Sequence, residues 1–96
     1  MPAYVIVQID VTDPAQYEEY KKAVPAAIHA YGGRYLIRGG VVEVLDGRHD
    51  GRRLVMLEFP TMDAVRAWWA SPEYQASKRL RYGAATMDAW AVPGAQ

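Results

Sequence analysis

Two charged residues stand in otherwise apolar, strand-like stretches and are the first candidates for chemistry. Arg38 follows Ile37, and Glu58 lies between Leu57 and Phe59. If the two side chains share a face, Arg38 would bind an anionic or carbonyl oxygen while Glu58 acts as a base or an orienting group. An arginine–carboxylate pair in a strand is also a common structural ion pair that fixes register. The sequence therefore leaves a catalytic and a structural interpretation of the pair open.

Four other residues are candidates for ligand binding: Gln8, Tyr31, Trp69 and Tyr74. Gln8 lies in an N-terminal strand-like stretch and would join the charged pair from a neighbouring strand; the alternative is a solvated edge residue. The aromatic residues, together with Trp68, would line a cleft between helices and sheet. Aromatic residues at helical spacing belong more often to a core, so that alternative also stays open.

The composition argues against several classes of site. There is no cysteine, which removes thiolate nucleophiles and zinc–thiolate centres. His29 falls on the polar side of a helix and His49 in a turn, so we expect neither a metal site nor a cofactor. Eleven basic residues balance eleven acidic ones, and Arg79 and Arg81 are expected to be solvated. Nucleic acid is therefore not an expected partner.

No apolar run approaches the roughly 20 residues that a membrane helix needs. No basic segment followed by an apolar run marks a signal peptide at the N-terminus. Membrane association is therefore not expected. The length predicts a single domain over residues 1–96. We also expect a cytoplasmic location.

Hydrophobic periodicity predicts the elements that must position these residues. Alternating residues predict a strand over 3–11. A helix then starts at Asp13, which caps it with Gln16 completing a capping box, and ends at Gly32 in the left-handed conformation. Its apolar stripe contains Tyr17, Tyr20, Val24, Ala27, Ile28 and Tyr31.

A hairpin follows the first helix. Its first strand begins at Arg34, is interrupted at Gly39–Gly40 and resumes over 41–46; its second strand is 53–59. One extra residue at the glycine pair would make a bulge that places Arg38 beside Glu58 on the same face.

Two capped helices, starting after Thr61 and Ser71, and a last strand over 86–92 complete the chain. The order strand, helix, strand, strand, helix, strand is typical of the α+β ferredoxin-like βαββαβ fold, a four-stranded antiparallel sheet with helices on one face. The helix-free face is predicted to carry Arg38, Glu58 and seven apolar residues: Tyr4, Ile6, Leu36, Val41, Leu45, Leu54 and Met56. Such a face is too apolar to stay exposed, so we predict a homodimer in which two sheets pack face to face.

Three spaced segments resemble the domain of unknown function 1330 family: Tyr-Gly-Gly-Arg-Tyr-Leu-Ile-Arg-Gly-Gly at 31–40, Leu-Glu-Phe-Pro at 57–60 and Trp-Ala-Ser-Pro-Glu-Tyr-Gln at 69–75. The resemblance runs from about residue 3 to 93. The polar or special positions that match are Arg38, Glu58, Ser71, Pro72 and Tyr74.

The resemblance implies a dimeric α/β barrel. The family has no established reaction, and its wider superfamily holds cofactor-free monooxygenases, haem-degrading enzymes, small isomerases and stress proteins. The resulting hypothesis is a small cofactor-free enzyme that acts on an apolar, oxygenated small molecule. The alternative is a non-catalytic small-molecule-binding or stress-response dimer.

Overall fold

One layer of helices covers one face of a four-stranded antiparallel sheet, which confirms the predicted ferredoxin-like α+β fold. The structure is a computed structural model that describes residues 1–95. The elements are β1 (Ala3–Val11), α1 (Pro14–Ala30), β2 (Arg34–Gly40), β3 (Arg53–Phe59), α2 (Met62–Ala70), α3 (Pro72–Lys78), a 3₁₀ turn (Arg79–Arg81) and β4 (Ala85–Pro93). The strand order is β2-β3-β1-β4, so β2 and β4 are the edges.

Alternation along the central strand β1 sends one set of side chains under the helices. Ala3, Val5, Val7 and Ile9 are buried, because odd-numbered residues of this strand face the helix layer. Phe59 is fully buried beside them. We call this side of the sheet the helix-covered face and the opposite side the helix-free face. The molecule measures only 15 Å along its thinnest axis, which is consistent with one sheet and one helix layer.

Side-chain caps start all three helices. Asp13 Oδ1 accepts from Gln16 N at 3.2 Å, Thr61 Oγ1 accepts from the first turn of α2, and Ser71 Oγ from that of α3. Gly32 ends α1 with φ +82°, as predicted. The predicted capping box is wrong in one respect: the Gln16 side chain donates to the carbonyls of Leu80 and Tyr82.

The edge strand β2 contains two irregularities, of which the sequence predicted one. Tyr35 pairs with Leu57 and Ile37 with Met56, so Leu36 is an extra residue. The predicted irregularity at the glycine pair is present, since the register shifts again between Arg38 and Gly40; Gly39 has φ +78°. Each extra residue reverses the side-chain alternation of the strand.

The predicted continuation of the strand over residues 41–46 is wrong. Gly40 pairs with Leu54, and β3 begins at Arg53, so residues beyond Gly40 have no strand left to pair with. Residues 41–52 form a loop instead. Gly47 and Gly51 adopt positive φ in this loop, where residues with a Cβ would be strained.

The helix-free face differs in part from its predicted composition. Tyr4, Ile6, Leu54 and Met56 lie on it as predicted. Leu36 sits in a bulge, and Val41 and Leu45 lie in the exposed loop. The apolar residues that the sequence reading missed are Ile37, Trp90 and Val92, which pair with residues of this face and are at least one-third exposed. In the region described, no helix has the length and apolar character to cross a membrane.

Candidate functional site

The structure places Arg38 and Glu58 on opposite faces of the sheet, so the predicted ion pair between them is wrong. Arg38 pairs in the ladder with Val55, on the helix-covered face. Glu58 pairs with Tyr4 and lies on the helix-free face. Its partner is Arg34, whose Nε donates to Glu58 Oε1 at 2.8 Å. The unpredicted bulge at Leu36 causes the separation, because it reverses the alternation between the two arginines.

Glu58 has the surroundings of a structural carboxylate. The hydrogen bond from Arg34 lowers the pKa of Glu58 below its ordinary value of 4.5. A carboxylate stabilised in its charged form by arginine is a weaker base than a free one. This geometry supports the structural interpretation of Glu58.

Arg38 has no carboxylate within ion-pair distance among residues 1–95. Its guanidinium lies 4.6 Å from the centre of the Tyr35 ring, and Nη2 donates to the carbonyl of Lys21 at 3.0 Å. Next to it, Arg53 donates to the carbonyl of Gly39 within the bulge. Arg38 is thus oriented by a ring and a carbonyl while its charge stays uncompensated.

A cavity of about 440 Å³ lies between α1 and the helix-covered face of the sheet. Aliphatic side chains of β1, α1 and β3 form much of its lining, including Val7, Ile9, Val24 and Val55. Arg38 also lines it while being exposed, which places Arg38 at the opening. Glu18 and Lys21, whose charged atoms are 3.4 Å apart, line it as well. An apolar chamber with a few convergent polar groups is the usual form of a small-molecule site.

Tyrosines are the most numerous polar residues in the lining of the cavity. Tyr17, Tyr20, Tyr35 and Tyr74 all line it, and the hydroxyls of Tyr20 and Tyr74 are 3.2 Å apart. Burial raises the pKa of Tyr17 to about 12. Burial, together with Tyr74, raises the pKa of Tyr20 further. The phenols of Tyr17 and Tyr20 are therefore protonated at neutral pH and can act as hydrogen-bond donors.

An aromatic cluster forms one wall of the cavity. The Trp68 ring packs at 4.6 Å from Tyr74 and at 5.2 Å from Phe59, measured between ring centres. Ser71 holds the corner between α2 and α3, since its hydroxyl donates to Trp68 O and accepts from Tyr74 N. The indole Nε1 of Trp68 is buried with no acceptor among the described residues.

A second, smaller groove of about 300 Å³ lies between α2 and the edge strand β4. Trp68 and Trp69 line both this groove and the larger cavity. The two spaces therefore share the tryptophan pair as a common wall.

Only two of the four predicted ligand-binding residues line the cavity. Trp69 and Tyr74 do so. Tyr31 lies elsewhere and donates from its hydroxyl to Glu73 Oε2 at 3.0 Å. Gln8 faces the helix-free side, where its Oε1 accepts from Arg52 Nη2 at 3.0 Å.

Sequence reasoning missed several polar residues at or beside this site, among them Tyr17, Glu18, Tyr20 and Arg81. The two tyrosines were recognised as part of the apolar stripe of α1, and the same spacing serves a core or a cavity wall. Arg81 was expected to be solvated, and this expectation is wrong, because its exposed fraction is only 9%. Among residues 1–95, no group of three histidine, aspartate or glutamate side chains is arranged to hold a metal ion.

Solved structures share this fold at low sequence identity. A protein of unknown function from Rhodopseudomonas palustris aligns with a TM-score of 0.77 and 16% identity, over 99% of this chain and 83% of its own. SnoaB, a cofactor-independent oxygenase from Streptomyces nogalater, aligns with a TM-score of 0.70 and 17% identity, over 99% and 94% of the two chains. A dimeric ferredoxin-like protein of unknown function from Jannaschia sp. CCS1 aligns with a TM-score of 0.66 and 11% identity, over 98% and 100%.

A comparison with curated proteins gave no match. The sequence pattern of one family, described as Domain of unknown function (DUF1330), matches residues 2–95. That match spans nearly the whole chain and agrees with the resemblance carried by the three spaced segments. The chain belongs to the DUF1330 family.

Proposed function

We propose that this protein is a homodimeric, cofactor-free enzyme that acts on a small, largely apolar molecule carrying an acidic or carbonyl oxygen. The observation that carries the proposal is the 440 Å³ cavity with Arg38 at its opening. Its aliphatic walls favour an apolar body. The uncompensated guanidinium favours an oxygen that bears or develops negative charge.

The helix-free face supports the homodimer. Trp90 is 48% exposed and Val92 39% exposed, and both pair with β1 beside Ile6 and Tyr4. A second copy related by a two-fold axis would cover this patch with its own equivalent. We expect more than about 1,200 Å² of total buried area in that interface. The protein from Jannaschia, which shares the fold, is described as dimeric.

The reaction class that we favour is oxygenation by O₂, in keeping with the described activity of SnoaB. A carboxylate would remove a proton from a carbon next to the bound oxygen, and Arg38 would stabilise the resulting enolate. The carbanion would then transfer its electron pair to O₂ by one-electron transfer and recombination, forming a C–O bond. The peroxide anion would take the proton back, so that one substrate and one O₂ give one hydroperoxide.

The structure changes which carboxylate can act as the base in this step. Glu58 faces away from the cavity, and Glu18 is the carboxylate residue that lines it. We therefore assign the role of proton acceptor to Glu18 in place of Glu58. Arg38 keeps its proposed role at the oxygen.

A second candidate function is binding without catalysis. Its support is that the Glu18 carboxylate is 56% exposed and paired with Lys21, which makes it an ordinary surface carboxylate. A protein that only binds would use the same cavity and the same arginine. The two functions differ in whether the bound molecule is changed.

The test is a thermal-shift screen with apolar phenols and cyclic ketones, followed by O₂ consumption and product analysis with any molecule that binds. A ligand at a hundred times its Kd adds about 2.7 kcal/mol to stability, so we expect the unfolding temperature to rise by several degrees. Arg38→Gln should weaken binding about tenfold or more. The matched control Arg34→Gln, on the other face of the sheet, should leave binding unchanged.

Three outcomes separate the possibilities. O₂ uptake with stoichiometric product supports the enzyme. A binder that is recovered unchanged, without O₂ uptake, favours the binding protein. If no molecule binds, or if Arg34→Gln weakens binding as much as Arg38→Gln, the cavity is not the functional site.

A further inference from the structure

The buried wall of the cavity contains a pair of tyrosine hydroxyls to which the proposed function gives no role. Tyr20 on α1 and Tyr74 on α3 both line the cavity, and their exposed fractions are 6% and 1%. Their hydroxyl oxygens are 3.2 Å apart, and either can donate to the other. We call these two residues the tyrosine pair. It lies on the inner side of the cavity, whereas Arg38 is exposed and lies at the opening.

The tyrosine pair has one hydroxyl hydrogen more than it uses. Each hydroxyl carries a single hydrogen and can also accept. One hydrogen forms the bond between the two residues, and no other side chain or carbonyl among residues 1–95 is bonded to either hydroxyl. Burial raises the pKa of Tyr20, so its hydroxyl keeps its hydrogen at neutral pH. One donor is therefore left without an acceptor in a buried place, where an unmade hydrogen bond is costly.

The indole of Trp68 is a second unsatisfied donor in the same wall. Its ring centre lies 4.6 Å from that of Tyr74, and Trp68 also lines the cavity. Its Nε1 is buried with no acceptor in the part of the chain that the structure describes. Buried donors in proteins are nearly always bonded. Two spare donors in one wall therefore indicate an acceptor that comes from outside the chain.

Packing holds the tyrosine pair in a fixed position. Ser71 Oγ accepts from Tyr74 N at 3.0 Å, and the Tyr74 ring also packs at 5.1 Å from Trp69. The Tyr20 ring packs at 5.4 Å from Tyr17. A buried donor in a fixed place discriminates between ligands that offer it an acceptor and ligands that do not, because the latter leave it unpaired.

We propose that the ligand carries a second oxygen, a neutral hydroxyl or carbonyl, that accepts a hydrogen bond from the tyrosine pair. This oxygen lies at the inner end of the molecule, while the acidic or carbonyl oxygen of the proposed function lies at Arg38. The inference rests on the proposed function, since it needs the cavity to bind a small molecule. It narrows the substrate class to apolar molecules with oxygens at two ends, and it makes Tyr20 and Tyr74 specificity-determining residues.

The test compares 6-hydroxy-2-naphthoate with 6-methyl-2-naphthoate by calorimetric titration. The two probes have nearly the same shape and the same carboxylate for Arg38, and they differ in the oxygen offered to the tyrosine pair. We expect the wild type to bind the hydroxyl probe at least about tenfold more tightly, as one buried hydrogen bond would give. Removing both hydroxyls, by combining Tyr20→Phe with Tyr74→Phe, should bring the two affinities together.

A merely structural role of the tyrosine pair would weaken both probes equally, so the ratio of the two affinities is the deciding quantity. Tyr20→Phe and Tyr74→Phe, made singly, each keep one hydroxyl and should lower the ratio without abolishing it. They supply the answer if the double variant does not fold. Tyr31→Phe is the matched control, because the Tyr31 hydroxyl donates to Glu73 and Tyr31 does not line the cavity; it should keep the full ratio.

Three results separate this inference from the proposed function. Equal binding of the two probes by the wild type overturns the second oxygen and leaves the cavity as a binding site. If Tyr17→Phe or Arg38→Gln removes the preference while the double variant keeps it, the probe hydroxyl is bound elsewhere and the inference is overturned. Arg38→Gln should instead weaken both probes by the same factor, since it acts on the carboxylate that they share. Failure to bind either probe counts against both proposals.

Discussion

Arginines on the two sides of the sheet differ in whether they are paired with carboxylates. On the helix-free face, Arg34 is paired with Glu58 at 2.8 Å, and Arg52 with Asp50 at 2.7 Å and with Asp88 at 2.6 Å. On the helix-covered side, neither Arg38 nor Arg81 has a carboxylate within ion-pair distance among residues 1–95.

This difference separates structural charges from available ones. Charges that hold strands or loops together are satisfied within the chain, because an unsatisfied charge would cost stability. A cation that is left without a partner beside an apolar cavity is available to a ligand. The contrast therefore directs attention to the helix-covered side, although the sequence predicted an Arg38–Glu58 pair on the helix-free face.

The largest expected effect is on the packing of the helix-covered face. Phe59 has no exposed surface and contacts the Trp68 ring, so Phe59→Ala should cost about 3–5 kcal/mol of unfolding free energy. Urea unfolding at fixed protein concentration measures it. Leu80→Ala, at a partly exposed position, is the control and should cost clearly less. A loss under about 1 kcal/mol for Phe59→Ala would show that the helices do not seal this face.

The next effect concerns the helix-free face. Met56→Asp would place a charge at the centre of the apolar patch, so we expect at least a hundredfold weaker dimer, about 2.7 kcal/mol. Sedimentation at micromolar concentration measures it. Ala67→Asp, on the exposed side of α2, should leave the dimer intact. A wild type that sediments as a monomer would contradict the homodimer and leave the patch without an occupant.

Two glycines compare how tightly the two sides of the sheet are packed. A Cβ on Gly33 would lie 2.6 Å from Phe59 Cε1 and 2.7 Å from Ile28 Cγ2, so Gly33→Ala should destabilise the fold by about 1–3 kcal/mol. At Gly40 a Cβ would meet only Ile37 Cγ2, at 3.2 Å. Gly40→Ala should therefore have a smaller effect in the same unfolding assay. Equal losses would mean that the interior beneath the helices yields as easily as the open face.

The smallest effect is the pH dependence of the Arg34–Glu58 pair. The pKa of Glu58 is lowered in the folded state, so its stabilisation is complete above the unfolded-state pKa and is lost as the pH falls through the folded-state pKa. Wild type should exceed Glu58→Gln in unfolding free energy at about pH 7, and the difference should shrink steadily as the pH falls below the unfolded-state pKa. The exposed Glu19→Gln provides the reference. A difference that persists in acid would show that Glu58 acts by packing rather than by charge.

Local sequence was sufficient to predict the order of elements. The alternation of β1, the apolar stripe of α1, the caps at Asp13, Thr61 and Ser71, and the left-handed Gly32 each follow from side-chain spacing or backbone freedom within a few residues. Such local signals act through contacts that any chain with this pattern would make. These signals were enough to predict the ferredoxin-like fold and an apolar helix-free face.

Tertiary structure alone decided which charges meet. The bulge at Leu36 contains no glycine, so no sequence signal predicts it. One extra residue there places Arg38 on the helix-covered face, and Glu58 pairs with Arg34 instead. Arg81 stands in a polar, basic stretch that is typical of a solvated surface, yet it is buried. Its neighbours Leu80 and Tyr82 are bonded to Gln16 on α1, a helix that is remote in the sequence. Register and burial of this kind depend on pairings between remote segments, where a shift of one residue changes the face of every side chain that follows.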